Sequence, residues 1–105
     1  MLIFTWDPRK DLANQKKHGI SFAEAKTVFL DDNHLVYYDP DHSDNEDRYI
    51  ILGMSVSLLL IVVVHCYRNN EEEIRIISAR KATKEESAYY EAGASATGFS
   101  DERWN

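Results

Sequence analysis

The feature that most constrains the fold is an uninterrupted apolar run from Leu58 to Val64. A strand with one exposed face alternates apolar and polar residues, whereas this run places apolar side chains on both faces. It is therefore typical of a central strand that is covered on both sides. Its 7 residues are too few to cross a bilayer, so the sequence predicts a soluble domain built around a sheet.

Two β-rich segments flank this run. Asn69-Asn70 separates it from the second of them, and asparagine tolerates the backbone conformations of a tight hairpin turn. A two-residue turn there predicts that Arg75 lies opposite Val64, with Arg68 on the same face. The predicted strands span about 2–6, 34–38, 48–54, 58–67 and 72–79.

Three helices are predicted from their capping residues and from the spacing of apolar residues. Asp7 and Pro8 are typical of the start of the first helix, and Gly19 is typical of its end. Ser21 and Glu24 have the spacing of a capping box at the start of the second. The predicted helices span 8–18, 21–30 and 81–92.

Length and composition set broad limits. The 105 residues suit a single domain, predicted for 1–92, with a flexible tail over 93–105. Cys66 is the single cysteine, which favours a reducing compartment, and the N-terminus lacks the apolar segment of a signal peptide, so we expect the protein in the cytoplasm. The net charge of −6 argues against nucleic-acid binding, but the charge is segregated: residues 31–47 carry seven acidic and no basic side chains, so a basic patch elsewhere is still possible. A DNA-binding module is the least favoured class, because the sequence has no basic recognition helix.

The sequence excludes several kinds of site. It has no glycine-rich phosphate loop, zinc-ligand pair or nucleophile elbow. The acidic loop DPDHSDNED lacks the glycine that a calcium loop requires at its turn, so we predict neither a metal site nor a cofactor. The remaining His, Arg and Lys suit cleavage of RNA, in which the 2′-hydroxyl attacks the neighbouring phosphodiester. That reaction needs a base, an acid and cations, and no metal.

His65 is the foremost candidate for proton transfer, because it ends the apolar strand and imidazole titrates near neutral pH. The alternative is a hydrogen-bonded structural histidine beside the core. The other histidines are interpreted as a helix cap or as loop residues: His18, His34 and His42. Arg68 and Arg75 are positioned to hold one phosphate between them, and ordinary salt bridges to neighbouring glutamates are the alternative.

Several short segments are distinctive beyond composition. WDPRK, then Asn14 and KHGISF, lie near the start, and RIISARKA lies later in the chain. Between them come Asp39, His42, Glu46, Arg48, Gly53 and Ser55. Taken together and in this order, these residues resemble the BrnT family, and the likeness runs from about Ile3 to Tyr90.

The resemblance implies an α+β, RelE/ParE-like fold, a twisted and mainly antiparallel sheet with helices packed on one face. It implies a ribonuclease toxin of a type II toxin–antitoxin system, which inhibits translation and growth by cleaving RNA without a metal. It also implies a cognate BrnA-like antitoxin as partner, through which alone operator DNA is bound, and no membrane. The alternative function is a catalytically inactive member of the same fold that acts as a protein-binding module.

On this interpretation, the predicted catalytic residues are His65, Arg68 and Arg80. The predicted substrate-binding residues match the family's basic positions: Lys17, Arg48, Arg75 and Lys81. Family members often carry Gly-Arg just before the long apolar strand, where this chain has Leu58-Leu59. One arginine is therefore missing, and we expect Leu59→Arg to restore a cation at the entrance of that strand.

Overall fold

A five-stranded sheet forms the centre of the fold. The computed structural model describes residues 2–95 of the chain. The strand order is β1-β5-β4-β3-β2, with β1 parallel to β5 and the other neighbours antiparallel. The apolar run lies in the middle strand, which confirms the predicted central position. The strands are β1 Ile3–Thr5, β2 Leu35–Asp39, β3 Arg48–Met54, β4 Leu60–Arg68 and β5 Glu73–Lys81.

The helices begin where the capping residues predict. The Asp7 side chain accepts a hydrogen bond from the backbone N–H of Arg9, and Gly19 ends the first helix with a left-handed φ of 71°. The Ser21 side chain caps the second helix, which continues as a 3-10 helix. The 3-10 helix lies so close to the sheet that a Cβ on Gly53 would be 3.1 Å from the Cβ of Val28. The helices are α1 Pro8–His18, α2 Phe22–Ala25, the 3-10 helix Lys26–Leu30 and α3 Lys84–Ser95, with a short 3-10 turn at Pro40–His42.

The two faces of the sheet are covered differently. Residues of α2, the 3-10 helix and the connection after α1 pack against one face, which we call the helix-covered face; its core consists of Ile20, Phe22, Ala25, Val28, Ile51, Ile61, Val63, Ile76 and Ala79. Helix α3 packs against the opposite face, where Tyr90 meets Leu52 and Val62. We call this the open face, because α3 covers only part of it. The prediction that the helices pack on one face is therefore wrong for α3, because a central strand that is apolar on both sides needs cover on both.

The turn between β4 and β5 is longer than predicted. It comprises residues 69–72, and Asn69, Asn70 and Glu71 all have positive φ, from 53° to 69°. Arg75 consequently pairs with Cys66 and not with Val64. The observed partner of Arg75 is two residues from the predicted one, and residues two apart in a strand point to the same face. Arg75 and Arg68 therefore still lie on the same face of the sheet, as predicted.

A β-bulge interrupts the pairing of β4 with β5. Val64 pairs with Ser78 but His65 pairs with Ile76, which leaves Ile77 as an extra residue in β5. Beyond this bulge, the alternation of side chains between the two faces is reset. Arg75 and Arg80, which are an odd number of positions apart, therefore both lie on the open face.

The C-terminal end of the described chain is helical. Helix α3 continues to Ser95, beyond the boundary at residue 92 that the sequence predicts for the domain. The remainder of the predicted tail, residues 96–105, lies outside the described residues. Within residues 2–95, no helix combines the length and the apolar character needed to span a membrane.

Candidate active site

A pocket of about 300 Å³ opens on the open face of the sheet, beside the β-bulge. Residues of β3, β4 and β5, the end of α1 and the loop after β2 form its walls. Its floor is apolar, and its rim carries two arginines, two histidines and one carboxylate. The lining residues are His18, Asp39, His42, Arg48, Ile50, Val62, Val64, Ile77, Ser78, Ala79 and Arg80.

Helix α1 is attached to the edge of β5 next to this pocket. The Asn14 side chain donates to the carbonyl of Ala79 at 2.9 Å and accepts from its N–H at 3.1 Å, and it also donates to the carbonyl of Ile20. Asn14 is buried, and within residues 2–95 no strand pairs with β5 on that side beyond Arg75. These hydrogen bonds pair the backbone N–H and carbonyl of Ala79 at the edge of β5. They also place His18, one turn further along α1, at the pocket.

Arg80 extends into the pocket from β5 and is already paired. Its two terminal nitrogens donate to the two carboxylate oxygens of Glu86 in α3, both at 2.8 Å. This hydrogen-bonded guanidinium lowers the pKa of Glu86, and Glu86 in turn raises the pKa of Arg80. Glu86 also forms the capping box of α3 with Thr83, so the pair joins the pocket to the start of that helix.

A histidine and an aspartate form a dyad on the opposite side of the pocket. Nδ1 of His42 lies 2.9 Å from Oδ2 of Asp39, which is itself buried. The Ser43 hydroxyl bonds to the backbone of both Asp39 and Arg48, and it thus fixes the short loop that carries His42. The carboxylate orients the imidazole so that its Nε2 side is directed away from Asp39.

The structure places His65 away from the pocket. It is 0% exposed on the helix-covered face, where its ring meets Phe29 edge-on at 4.9 Å and its Nε2 lies 3.2 Å from the hydroxyl of Tyr67. Burial lowers the pKa of His65 to about 4. A fully buried neutral imidazole has no access to a substrate in this conformation.

The other predicted site residues are divided between two regions. Arg48 and Arg80 line the pocket together. Arg68 lies further along the open face, where it donates to Glu46 at 3.2 Å, and Arg75 lies opposite Cys66 on the same face. Lys17 and Lys81 are exposed and do not line the pocket.

Comparison with known proteins agrees with this architecture. Residues 6–86 match the family described as the ribonuclease toxin BrnT of type II toxin–antitoxin systems. The chain belongs to the BrnT family. Membership in this family of type II ribonuclease toxins confirms the resemblance seen in the sequence and implies an antitoxin partner.

A solved member of the BrnT family has the same fold. The 1.1 Å crystal structure of the Brucella abortus ribonuclease toxin BrnT superimposes with a TM-score of 0.59 and 24% sequence identity, covering 80% of this chain and 100% of the other. This likeness shows an α+β fold with a mostly antiparallel sheet. A comparison with curated proteins finds no significant match.

Two residues of the pocket lie outside the predicted set of site residues. The sequence indicates a helix cap for His18 and a loop position for His42, yet both line the pocket. The signal was present, since KHG and the spacing of Asp39, His42 and Arg48 are among the residues that resemble the BrnT family. What was missing was the proximity of the end of α1 to the loop after β2, which depends on tertiary structure.

The position where BrnT members often carry Gly-Arg lies outside the pocket. Leu58 has a left-handed φ of 63° and is 80% exposed, which explains why glycine suits this position. Leu59 packs against the core of the helix-covered face. An arginine at position 59 would therefore lie on the face opposite the pocket, at the entrance of the strand and not in the pocket itself.

Among residues 2–95, no three His, Cys, Asp or Glu side chains converge in a way that could hold a metal ion.

Proposed function

We propose that this chain is an active endoribonuclease toxin with a RelE/ParE-like fold, which cleaves single-stranded RNA in the cytoplasm without a metal and so stops translation and growth. One observation carries the proposal. Arg48, Arg80, His18 and His42 come from four separate parts of the chain and meet at one pocket. Cleavage of a phosphodiester requires this combination of cations and proton-exchanging groups.

The proposed reaction is an internal transfer within the RNA. The 2′-oxygen forms a bond to the neighbouring phosphorus while the bond from phosphorus to the 5′-oxygen breaks. A base takes the proton of the 2′-hydroxyl and an acid supplies one to the leaving 5′-oxygen. The products are a 2′,3′-cyclic phosphate and a free 5′-hydroxyl, so no water or cofactor is consumed.

We assign the proton transfers to His18 and His42. Both line the pocket, and imidazole is the side chain that exchanges protons near neutral pH. Asp39 orients His42, as a carboxylate commonly orients a catalytic imidazole. This assignment replaces the predicted role of His65, which is buried on the other face.

We propose that Arg48 and Arg80 stabilise the negative charge that develops on the phosphate. Arg80 presents a planar guanidinium, which binds phosphate in a bidentate manner once its carboxylate partner yields. Arg68 and Arg75 lie further along the same face and are proposed to bind flanking phosphates. Lys17 and Lys81 are exposed and are proposed to attract RNA at longer range.

We further propose a BrnA-like antitoxin as the partner, with operator DNA bound through the antitoxin alone. The sequence has no basic recognition helix, so operator DNA is assigned to the antitoxin and not to this chain. A basic antitoxin segment would be attracted by the acidic segment 31–47. Co-expression with the product of the neighbouring reading frame, followed by pull-down, tests this pairing, and failure to co-purify would contradict it.

The proposed activity is tested with purified full-length protein, single-stranded RNA and EDTA. We expect cleavage that yields cyclic phosphate ends. Arg48→Ala, Arg80→Ala and His42→Ala are each expected to lower the rate about a hundredfold, as is common when one transition-state contact is lost. Arg9→Ala is the matched control, because this exposed arginine lies outside the pocket, and it should leave the rate unchanged. Cleavage that EDTA abolishes would overturn the metal-free mechanism.

One observation favours the alternative function, a catalytically inactive protein-binding module. Arg80 is held by Glu86 through two short hydrogen bonds, so a phosphate has to displace a carboxylate before it reaches this cation. The same experiment distinguishes the two functions. If folded wild-type protein cleaves no RNA and its expression does not slow growth, the binding-only function is correct.

A further inference from the structure

Three tyrosines form a row on the helix-covered face, at the end of the sheet where β2 terminates. Tyr38, Tyr49 and Tyr67 lie on the adjacent strands β2, β3 and β4. Their rings meet edge-on, with centroids 5.5 Å apart for Tyr38 and Tyr49 and 5.3 Å apart for Tyr49 and Tyr67. We call these three residues the tyrosine row. Tyr38, at the edge of the sheet, is 45% exposed.

Neighbouring side chains hold the rings of the tyrosine row in place. The ring of Tyr67 contacts His65 at 5.2 Å, and His65 contacts Phe29 of the 3-10 helix. The Tyr38 hydroxyl donates to the carboxylate of Asp47 at 3.0 Å. Rings held in this way lose little conformational freedom when a ligand stacks on them, so the row is preorganised for contact.

Carboxylates surround this end of the sheet. The loop between β2 and β3 and the turn between β4 and β5 both lie here, because the three strands are antiparallel. Residues 39–47 contain five acidic and no basic side chains, and residues 71–73 are three consecutive glutamates. Glu71 lies in the turn directly after β4, four residues beyond Tyr67, and the pKa of Tyr67 is raised by burial and by the charges of Tyr49 and Glu71.

Aromatic faces rimmed by carboxylates suit one chemical class of ligand. A guanidinium stacks on a tyrosine ring and pairs with a carboxylate at the same time. An RNA base also stacks on tyrosine, but its phosphates would face the carboxylates of two acidic segments. We infer that the tyrosine row, with Asp47 and Glu71, is a docking surface for an arginine-bearing segment of a protein partner.

This inference goes beyond the proposed function, because the tyrosine row and the pocket lie on opposite faces of the sheet. Tyr49 pairs with His65, which faces the helices, whereas Arg48 and Ile50 line the pocket. A partner that docks on the row alone leaves the pocket open. Binding at the row and cleavage in the pocket are therefore separate measurements.

The test uses the full-length protein and two labelled synthetic peptides, octa-arginine and octa-lysine, compared by fluorescence anisotropy. Both carry the same charge, so purely electrostatic attraction predicts equal affinity. Because guanidinium stacks on aromatic rings better than ammonium does, we expect octa-arginine to bind about threefold to fivefold more tightly. Amide NMR shifts are expected to change at residues 38, 47, 49, 67 and 71.

Paired variants locate the surface. Tyr38→Ser should weaken octa-arginine binding about threefold to fivefold, while Val36→Ser, at a residue of the same strand that is 40% exposed, should not. Asp47→Asn keeps a group that can accept from the Tyr38 hydroxyl but removes the charge, and it should also weaken binding. Asp32→Asn removes an exposed carboxylate at the other end of β2 and is its control.

RNA cleavage is measured in parallel, and we expect all four variants to cleave at the wild-type rate. If the wild-type protein does not cleave RNA, the proposed function is contradicted, but the peptide-binding result still stands. Equal affinity for the two peptides, or NMR shifts spread over every acidic segment, would overturn the docking surface. So would a labelled RNA that shifts the same amides and binds more weakly to Tyr38→Ser.

Discussion

The two faces of the sheet contain the same kinds of residue in opposite environments. On the helix-covered face, His65 is sealed between Phe29 and two tyrosines and is neutral near pH 7. On the open face, His18 and His42 line a pocket beside two arginines. The cover of each face, and not the residue type, therefore decides which histidine of this chain lines an accessible pocket.

The difference in cover arises from the positions of the helices. The segments from α1 to Leu30 close one face over its whole apolar core. Helix α3 closes only the part of the other face near β2 and β3, where Tyr90 donates to Asp31 and a Cβ on Gly93 would lie 3.1 Å from the Leu35 side chain. The uncovered remainder of the open face is where the pocket forms.

Two adjacent substitutions test this comparison with the largest expected effect. Val63→Asp places an unpaired charge in the core of the helix-covered face, which costs several kcal/mol and is expected to unfold the domain. Val64→Asp places the same group in the pocket wall, within the open region, and is expected to fold but to lose RNA cleavage. Circular dichroism and thermal melting check both; a folded Val63→Asp protein would contradict the assignment of faces.

The buried histidine predicts a pH dependence of stability. The pKa of His65 is lowered by burial from 6.5 to about 4, so below pH 6.5 the unfolded chain binds a proton that the folded chain does not. The free energy of unfolding should therefore fall as the pH drops from about 6.5 to about 4, by about 3 kcal/mol in total. Urea unfolding at pH 7 and pH 5 should show about 2 kcal/mol of this loss.

Substitution of the histidine isolates its contribution. His65→Phe keeps an aromatic ring beside Phe29 and should flatten the slope between pH 7 and pH 5. His34→Gln removes an exposed histidine and should keep the wild-type slope. Carboxylates such as Glu86, whose pKa is lowered, affect stability only at lower pH. A slope that persists in His65→Phe would disprove the assignment.

On the open face, Glu86 is expected to oppose phosphate binding. Glu86→Gln keeps the capping box, because glutamine caps as glutamate does, but it releases Arg80 from an ion pair worth about 1 kcal/mol. Affinity for an RNA with 2′-O-methyl groups, which cannot be cleaved, should rise about fivefold. Glu85→Gln changes net charge equally at an exposed neighbour and should have little effect. An unchanged affinity in Glu86→Gln would mean that Arg80 does not contact RNA.

The smallest expected effect concerns the turn that precedes β4. Leu58 is 80% exposed with a positive φ, so Leu58→Gly relieves backbone strain and removes little buried surface. After the greater entropy of glycine in the unfolded chain is subtracted, we expect about 0.5–1 kcal/mol of stabilisation. Leu30→Gly is the control, since this leucine is 77% exposed but lies in the 3-10 helix without positive φ, and it should destabilise the protein.

Local patterns in the sequence predicted most of the fold. The caps at Asp7, Gly19 and Ser21 lie where the helices begin and end, and the apolar run forms the central strand. These features depend only on residues close in the chain, so they can be predicted directly from the sequence. The family resemblance, carried by WDPRK, KHGISF and RIISARKA, predicted the class of protein.

The site was less predictable because it depends on two irregularities of backbone. Strict alternation along β5 would place Arg75 and Arg80 on opposite faces, and only the bulge at Ile77 brings both to the open face. The turn after Arg68 has four residues and not the two that Asn69-Asn70 indicated. His65 was misplaced for a related reason, because one apolar strand does not reveal which of its faces remains open.

Contacts of β1 and α1 with β5 also determine when the pocket can form during translation. The Thr5 hydroxyl bonds to Glu73, 68 positions later in the chain, and Asn14 bonds to Ala79, 65 positions later. Such distant pairings form late, because the loop between them must be closed first. At a synthesis rate of about 5–20 residues per second, roughly several seconds pass between the two ends of each contact. The emerging chain therefore spends that interval without the strand that carries Arg80, and the pocket can form only when the last strand is in place.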